Sequence, residues 1–176
     1  MEFIETNLKG AFVVRIKKIE DERGYFARAW CREEFLQHGL IPQMVQLNVG
    51  SSHRRGTVRG LHYQLAPHAE AKFIRCTRGA IYDVIVDLRE GSPTVGRWYG
   101  IELTPDNGLM LYGPEGFAHG YQTLQDDTEM YYMTSALFAP AAARGVRYND
   151  PAFGITWPLS ISFISAADRS WPDFQS

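Results

Sequence analysis

Between Gly56 and Gly79 the chain reads G-T-V-R-G-L-H-Y-Q-L-A-P-H-A-E-A-K-F-I-R-C-T-R-G. Arg59, His62, His68 and Lys72 fall inside an otherwise apolar, β-like pattern, a dense set of bases and cations for such a stretch. An imidazole near its ordinary pKa of about 6.5 accepts a proton at neutral pH. A lysine or arginine pre-positioned in a partly dry cavity stabilises oxyanion charge as it develops. Together these residue types suit proton transfer beside a held oxyanion.

The elements that must position them are short. Gly10–Ile19 reads as a strand ended by the turn Glu20–Gly24, and Tyr25–Trp30 as a second short strand. Arg32–His38 has the composition of a brief helix stopped by Gly39, the one helix that the sequence marks. From there apolar runs recur between turn signals at Met44–Val49, Lys72–Thr77, Ala80–Leu88, Arg97–Leu103, Leu109–Tyr112 and Glu129–Ala136. With 16 Gly and 9 Pro as punctuation, this predicts an all-β jelly-roll sandwich or barrel with a few short peripheral helices. In Ile81–Leu88, alternation puts Val84, Val86 and Leu88 on one face and Asp83, Ile85 and Asp87 on the other. From spacing alone the acidic face reads as solvated, with a polar cavity as the functional alternative.

At 176 residues the chain suits a single domain, 1–176, large enough to bury a core without staples. A formal net charge of −2 offers no global attraction to nucleic acid, so phosphate binding would need a local arginine cluster. Cys31 and Cys76 lack CxxC spacing and read as reduced thiols. The start Met1–Thr6 carries no basic then apolar leader pattern, and no apolar run reaches membrane-spanning length. A cytoplasmic protein with no membrane partner is the expectation.

Two segments resemble the paired signatures of the cupin superfamily. Gly108, then Pro114-Glu115-Gly116, then His119 matches the second; Gly56 followed five residues later by His62 begins the first. Metal-binding cupins have a second histidine where this chain has Gln64, and a glutamate where it has Lys72. An ammonium has no lone pair and repels a cation, so the site is expected to hold no metal.

The runs Arg59–Gln64, Tyr82–Arg89, Gly91–Gly96, Glu115–Tyr121 and Asn149–Pro151 further resemble the dTDP-4-dehydrorhamnose 3,5-epimerase family, over about Arg23 to Asp168. The resemblance implies a cofactor-independent epimerase of a nucleotide-activated 4-keto-6-deoxy sugar, and a homodimer that exchanges an N-terminal strand. Inversion beside a ketone requires a base, an acid on the opposite face and a holder for the enolate oxygen. By resemblance His62 is the base, paired with Asp168; Tyr132 is the acid; Lys72 holds the C4 oxygen; and His119, oriented by Asp83, joins it. Arg23, Gln46, Asn48, Arg59 and Phe138 match positions on the nucleotide and sugar, with Arg23 expected near the partner's site. Taken singly, Tyr132 is a half-buried strand aromatic and Lys72 a surface lysine; the shared pattern raises them together.

The likeness departs on the nucleotide side. Arg28 stands where the family pattern has a glutamate, Phe138 where it has a base-stacking tyrosine, and another glutamate is lacking near Ala143. These changes point to an altered nucleotide or sugar preference with the catalytic set retained. Epimerisation at C3, C5 or both stays open, as does a binding-only cupin; Lys72 and Gln64 argue against a metal-dependent oxygenase.

Overall fold

The computed structural model describes residues 1–174. Its strands are β1 (Glu2–Glu5), β2 (Phe12–Arg15), β3 (Ile19–Asp21) and β4 (Gly24–Phe26), then helix α1 (Arg32–Gln37). There follow β5 (Gln46–Ser52), β6 (Thr57–Gln64), β7 (Lys72–Arg78), β8 (Ile81–Asp87), β9 (Trp98–Leu103), β10 (Leu109–Gly113), β11 (Phe117–Thr123) and β12 (Thr128–Thr134). The chain closes with β13 (Ala143–Gly145), β14 (Phe163–Ile164) and the short helix α2 (Ala166–Arg169).

Two sheets face each other, one ordered β1-β2-β10-β7-β12-β5 and the other β13-β6-β11-β8-β9 with β14 beside β6. From β5 to β13 the chain changes sheet at every step except β8 to β9, a jelly-roll connectivity that is antiparallel apart from β14. Residues two apart on a strand share a face, and the core divides accordingly. Ile74, Cys76, Ile81, Ile85, Leu111, Phe117, Tyr121 and Met130 pack between the sheets. Phe73, Met110 and Tyr112 point out of the first sheet and are covered by Phe35 of α1 and Leu40. Leu61, Val84, Val86 and Ala118 point out of the second and are covered by Val146 and Phe153.

Because both sheets are covered on both faces, the acidic face of β8 is not solvated. Val84 and Val86 do share one face and Asp83, Ile85 and Asp87 the other, but the acids point inward and are fully buried. Asp87 is held by Arg89 Nε at 2.9 Å, Ser92 Oγ at 2.6 Å and Thr94 Oγ1 at 2.6 Å. Although burial raises its pKa, these donors win and bring it down to about 2.

The N-terminal strands are shorter than the sequence suggests. The Gly10–Ile19 run pairs only over Phe12–Arg15, where β1 and β10 flank it, and then leaves the sheet. Its continuation forms the β3–β4 hairpin, exposed throughout. Extended pairing in Tyr25–Trp30 stops at Phe26, because Ala27, Ala29 and Trp30 turn back onto the outer core. The expected helix is α1, one residue shorter, with Glu33 and Glu34 in its first turn and Gly39 at φ +69° beyond its end. Strand β11 went unmarked because FAHGYQT mixes glycine and polar groups into a segment that is wholly buried.

Candidate active site

The inward alternation of four strands assembles the site. Lys72 shares its face with Ile74 and Cys76, Tyr132 with Met130, His119 with Phe117 and Tyr121, and Asp83 with Ile81 and Ile85. Strand β6 needs a further device. Arg59 and His62 are three residues apart, and strict alternation would send them to opposite faces. The register to β11 slips between the pairs His119↔His62 and Tyr121↔Arg59, so one extra residue of β6 bulges out and both side chains line the cavity. Gly60 and Gly120 make the bulge possible. A Cβ on Gly60, at φ +119°, would stand 2.6 Å from the Gly120 Cα, and one on Gly120 2.7 Å from the Arg59 carbonyl oxygen.

The cavity measures about 590 Å³ and opens between the sheets. On the β6 wall His62 Nε2 lies 2.5 Å from Asp168 Oδ1. Asp168 sits on α2, which is capped by Ser165 Oγ accepting from the Asp168 N–H at 3.0 Å. The other Asp168 oxygen accepts from the Gly60 N–H at 3.3 Å, and Trp171 Nε1 donates to Oδ1 at 3.4 Å. Burial pushes the Asp168 pKa up, but the bond and charge of His62 and the Gly60 N–H outweigh it, and the carboxyl lies below its ordinary range. It is thus an anion beside an imidazole that is half exposed to the cavity.

Tyr132 stands on the facing sheet. Burial, then the nearby Glu70 charge, raise its pKa, so the phenol keeps its proton. Between the walls lies Lys72, 7% exposed, donating to the His62 carbonyl at 2.9 Å and paired with Glu70 at 3.0 Å. Burial lowers its pKa; Glu70 and then Asp83 oppose that. Deeper in, His119 Nε2 lies 2.7 Å from Asp83 Oδ1. Burial pushes Asp83 up against the pull of His119 and Lys72, and its second oxygen has no partner.

A contiguous pocket of about 310 Å³ adds Gln46 and Asn48, and shares Glu70, Tyr132 and Phe138 with the main cavity. Gln46 Nε2 donates to Asn48 Oδ1 at 2.9 Å and its Oε1 accepts from the Phe138 N–H at 3.2 Å, so three of the sequence-marked nucleotide positions form one unit. Arg59 is braced from β5 by Ser52 Oγ at 3.2 Å and the Ser51 carbonyl at 2.9 Å. Arg23 is not brought in: it sits on the exposed hairpin paired with Asp21. His68 is likewise exposed and outside the cavity. Glu70 and Trp171 line the cavity without having been marked by the sequence. For Glu70 a signal existed, since two residues before Lys72 on an extended segment is the same face; for Trp171, beyond the last strand, none did.

Among the described residues no group of three His, Cys, Asp or Glu is placed to hold a metal ion. The donor set does not fit one, because an ammonium occupies its centre. What the geometry defines is a cupin-type jelly roll carrying an acid–base site: an imidazole with its carboxylate on one wall, a phenol on the other, cations between.

The family model for dTDP-4-dehydrorhamnose 3,5-epimerase matches residues 5–176. A relative of that name from Sinorhizobium fredii is 42% identical over 98% of this chain and 89% of its own. The crystal structure of dTDP-4-dehydrorhamnose 3,5-epimerase from Bacillus anthracis with TDP and PPi bound superposes with a TM-score of 0.94, at 39% identity, covering 98% of this chain and 99% of that one. A 3′-monoepimerase from Streptomyces bikiniensis in complex with dTDP-quinovose gives a TM-score of 0.89 at 35% identity, over 97% and 86% of the two chains. The chain belongs to the dTDP-4-dehydrorhamnose 3,5-epimerase family.

Proposed function

We propose that this chain, working as one domain over residues 1–176, epimerises a dTDP-linked 4-keto-6-deoxy sugar beside its ketone, without a cofactor. The observation that carries the reading is the placement of His62–Asp168 and Tyr132 on opposite sheets of one cavity, with Lys72 between them. His62 takes the proton α to the ketone and Asp168 stabilises the imidazolium. Lys72 and His119, the latter oriented by Asp83, hold the oxygen of the resulting enolate. Tyr132 returns a proton to the opposite face, and exchange with solvent resets both groups.

Phe138 stacks on the base, Gln46 and Asn48 bond its polar edge, and Arg59 meets diphosphate oxygens through its forked guanidinium. Arg23 serves a neighbouring site in a homodimer. The exposed Ile19, Tyr25 and Phe26 beside it support that arrangement. A cytoplasmic setting is supported by the free thiols of Cys31 and Cys76; among the described residues no helix is long and apolar enough to cross a membrane.

A single-carbon epimerase is the second reading, favoured by the likeness to the 3′-monoepimerase. Proton NMR in deuterated water with dTDP-4-keto-6-deoxyglucose decides. Deuterium at C3 and C5 supports the double reaction, deuterium at one carbon the restricted one, and no exchange sinks both.

A further inference from the structure

Glu70 has no part in that mechanism, yet its carboxylate is among the most enclosed in the cavity. Its side chain is 9% exposed; Oε1 lies 3.0 Å from Lys72 Nζ, and Oε2 accepts from Gln64 Nε2 at 3.2 Å. Gln64 is itself buried, with both amide N–H groups engaged. The carbonyls of His68 at 3.0 Å and Leu137 at 3.2 Å also lie within reach of its amide nitrogen, so two N–H groups are shared among three acceptors, and its oxygen accepts from the Ala139 N–H at 2.6 Å. With no N–H left to donate, Gln64 fixes Glu70 in place against Lys72 and the segment that carries Phe138. Of the three ammonium hydrogens of Lys72, one goes to the His62 carbonyl and one to Glu70, leaving one for the cavity.

We propose that Glu70 is a positioning residue that keeps Lys72 a cation and Tyr132 a phenol, and so sets the upper end of the working pH range. The inference rests on the epimerase reading for the roles of those two groups. An isolated buried ammonium sheds its proton, and a phenol beside cations is tempted to lose its own. Several groups face this pair. Asp83 on β8 acts on Lys72; His62 and Arg59 on β6, with His119 and Tyr121 on β11, line the same cavity. Asp83 is engaged with His119, and Arg59 favours the phenolate, so neither can substitute for an acid in contact with Lys72. Glu70 acts on both groups in the required sense: its charge supports the Lys72 proton against burial and disfavours ionisation of Tyr132.

The test is Glu70→Gln, which keeps the chain length and the acceptor oxygen but removes the charge. Lys72 is one of only four lysines, so its titration can be followed by ¹³Cε NMR without substrate and assigned with Lys72→Arg. The expected result is a Lys72 midpoint at least about one pH unit lower in E70Q, a tenfold loss of proton affinity. The alkaline limb of kcat should move down with it while KM changes less than about threefold, and Glu70→Asp should restore part of the limb. An unchanged Lys72 midpoint overturns the proposal, as does an unmoved limb in a folded, active E70Q. Wild type without deuterium exchange would instead defeat the epimerase reading, and the lysine titration would still decide what Glu70 does.

Discussion

His62 and Tyr132 face each other across the sandwich, His62 on β6 of one sheet and Tyr132 on β12 of the other. A base and an acid on opposite walls address opposite faces of whatever lies between, which is what inversion needs. Replacing His62 by Ala should lower solvent exchange at the sugar carbons by about 10³-fold or more. Tyr132→Phe should leave exchange measurable while blocking inversion. Deuterium incorporation scored against product configuration by NMR separates the two; inversion at wild-type rate in Tyr132→Phe would remove Tyr132 from the acid role.

Trp171 is seated against the His62–Asp168 pair by a missing side chain. Gly145 is the strand partner of His62, and a Cβ there would stand 2.4 Å from the indole Cε2. Gly145→Ala should push the ring off Asp168 and reduce kcat about tenfold, with a smaller change in KM. Tryptophan emission should shift in parallel. A variant with normal kcat would show that the indole is packing only.

Asp87 ties the β8 end to the loop that follows. Its folded pKa, brought down to about 2, lies below the ordinary 3.8. The stability it contributes is therefore present above about pH 4 and lost as pH falls toward 2. Asp87→Asn should lower stability at neutral pH by about 3 kcal/mol, through an Arg89 left unpaired and hydroxyls left without their charged acceptor. It should also flatten the acid side of the stability curve, read from urea midpoints between pH 2 and 5. An equally steep acid loss in the variant would place the effect elsewhere.

The β3–β4 hairpin presents Ile19 at 68% and Phe26 at 72% exposure. If it docks on a second copy, Phe26→Asp should produce monomers in sedimentation velocity and weaken substrate binding through loss of Arg23. Arg23→Ala should leave the dimer intact and raise KM alone. Monomeric wild type would remove the homodimer from the reading.

Glycine spacing, the histidines of the two cupin-like signatures and a lysine at a ligand position were enough to indicate a jelly roll with acid–base groups. These features are residue types and spacings, legible without knowing what packs around them. Asp83 went the other way: a strand with two carboxylates reads as solvated on that face, but here the carboxylate face meets the other sheet, while Val84 and Val86 point outward under Val146 and Phe153 from far along the chain. Glu70 and Trp171 were likewise decided by tertiary contact, Glu70 through Gln64 and Lys72, Trp171 through a notch at Gly145. Sequence alone determined the chemistry available, because residue type sets which groups can titrate or carry charge. The fold determined which groups meet, because burial and partner distance are properties of the packed chain.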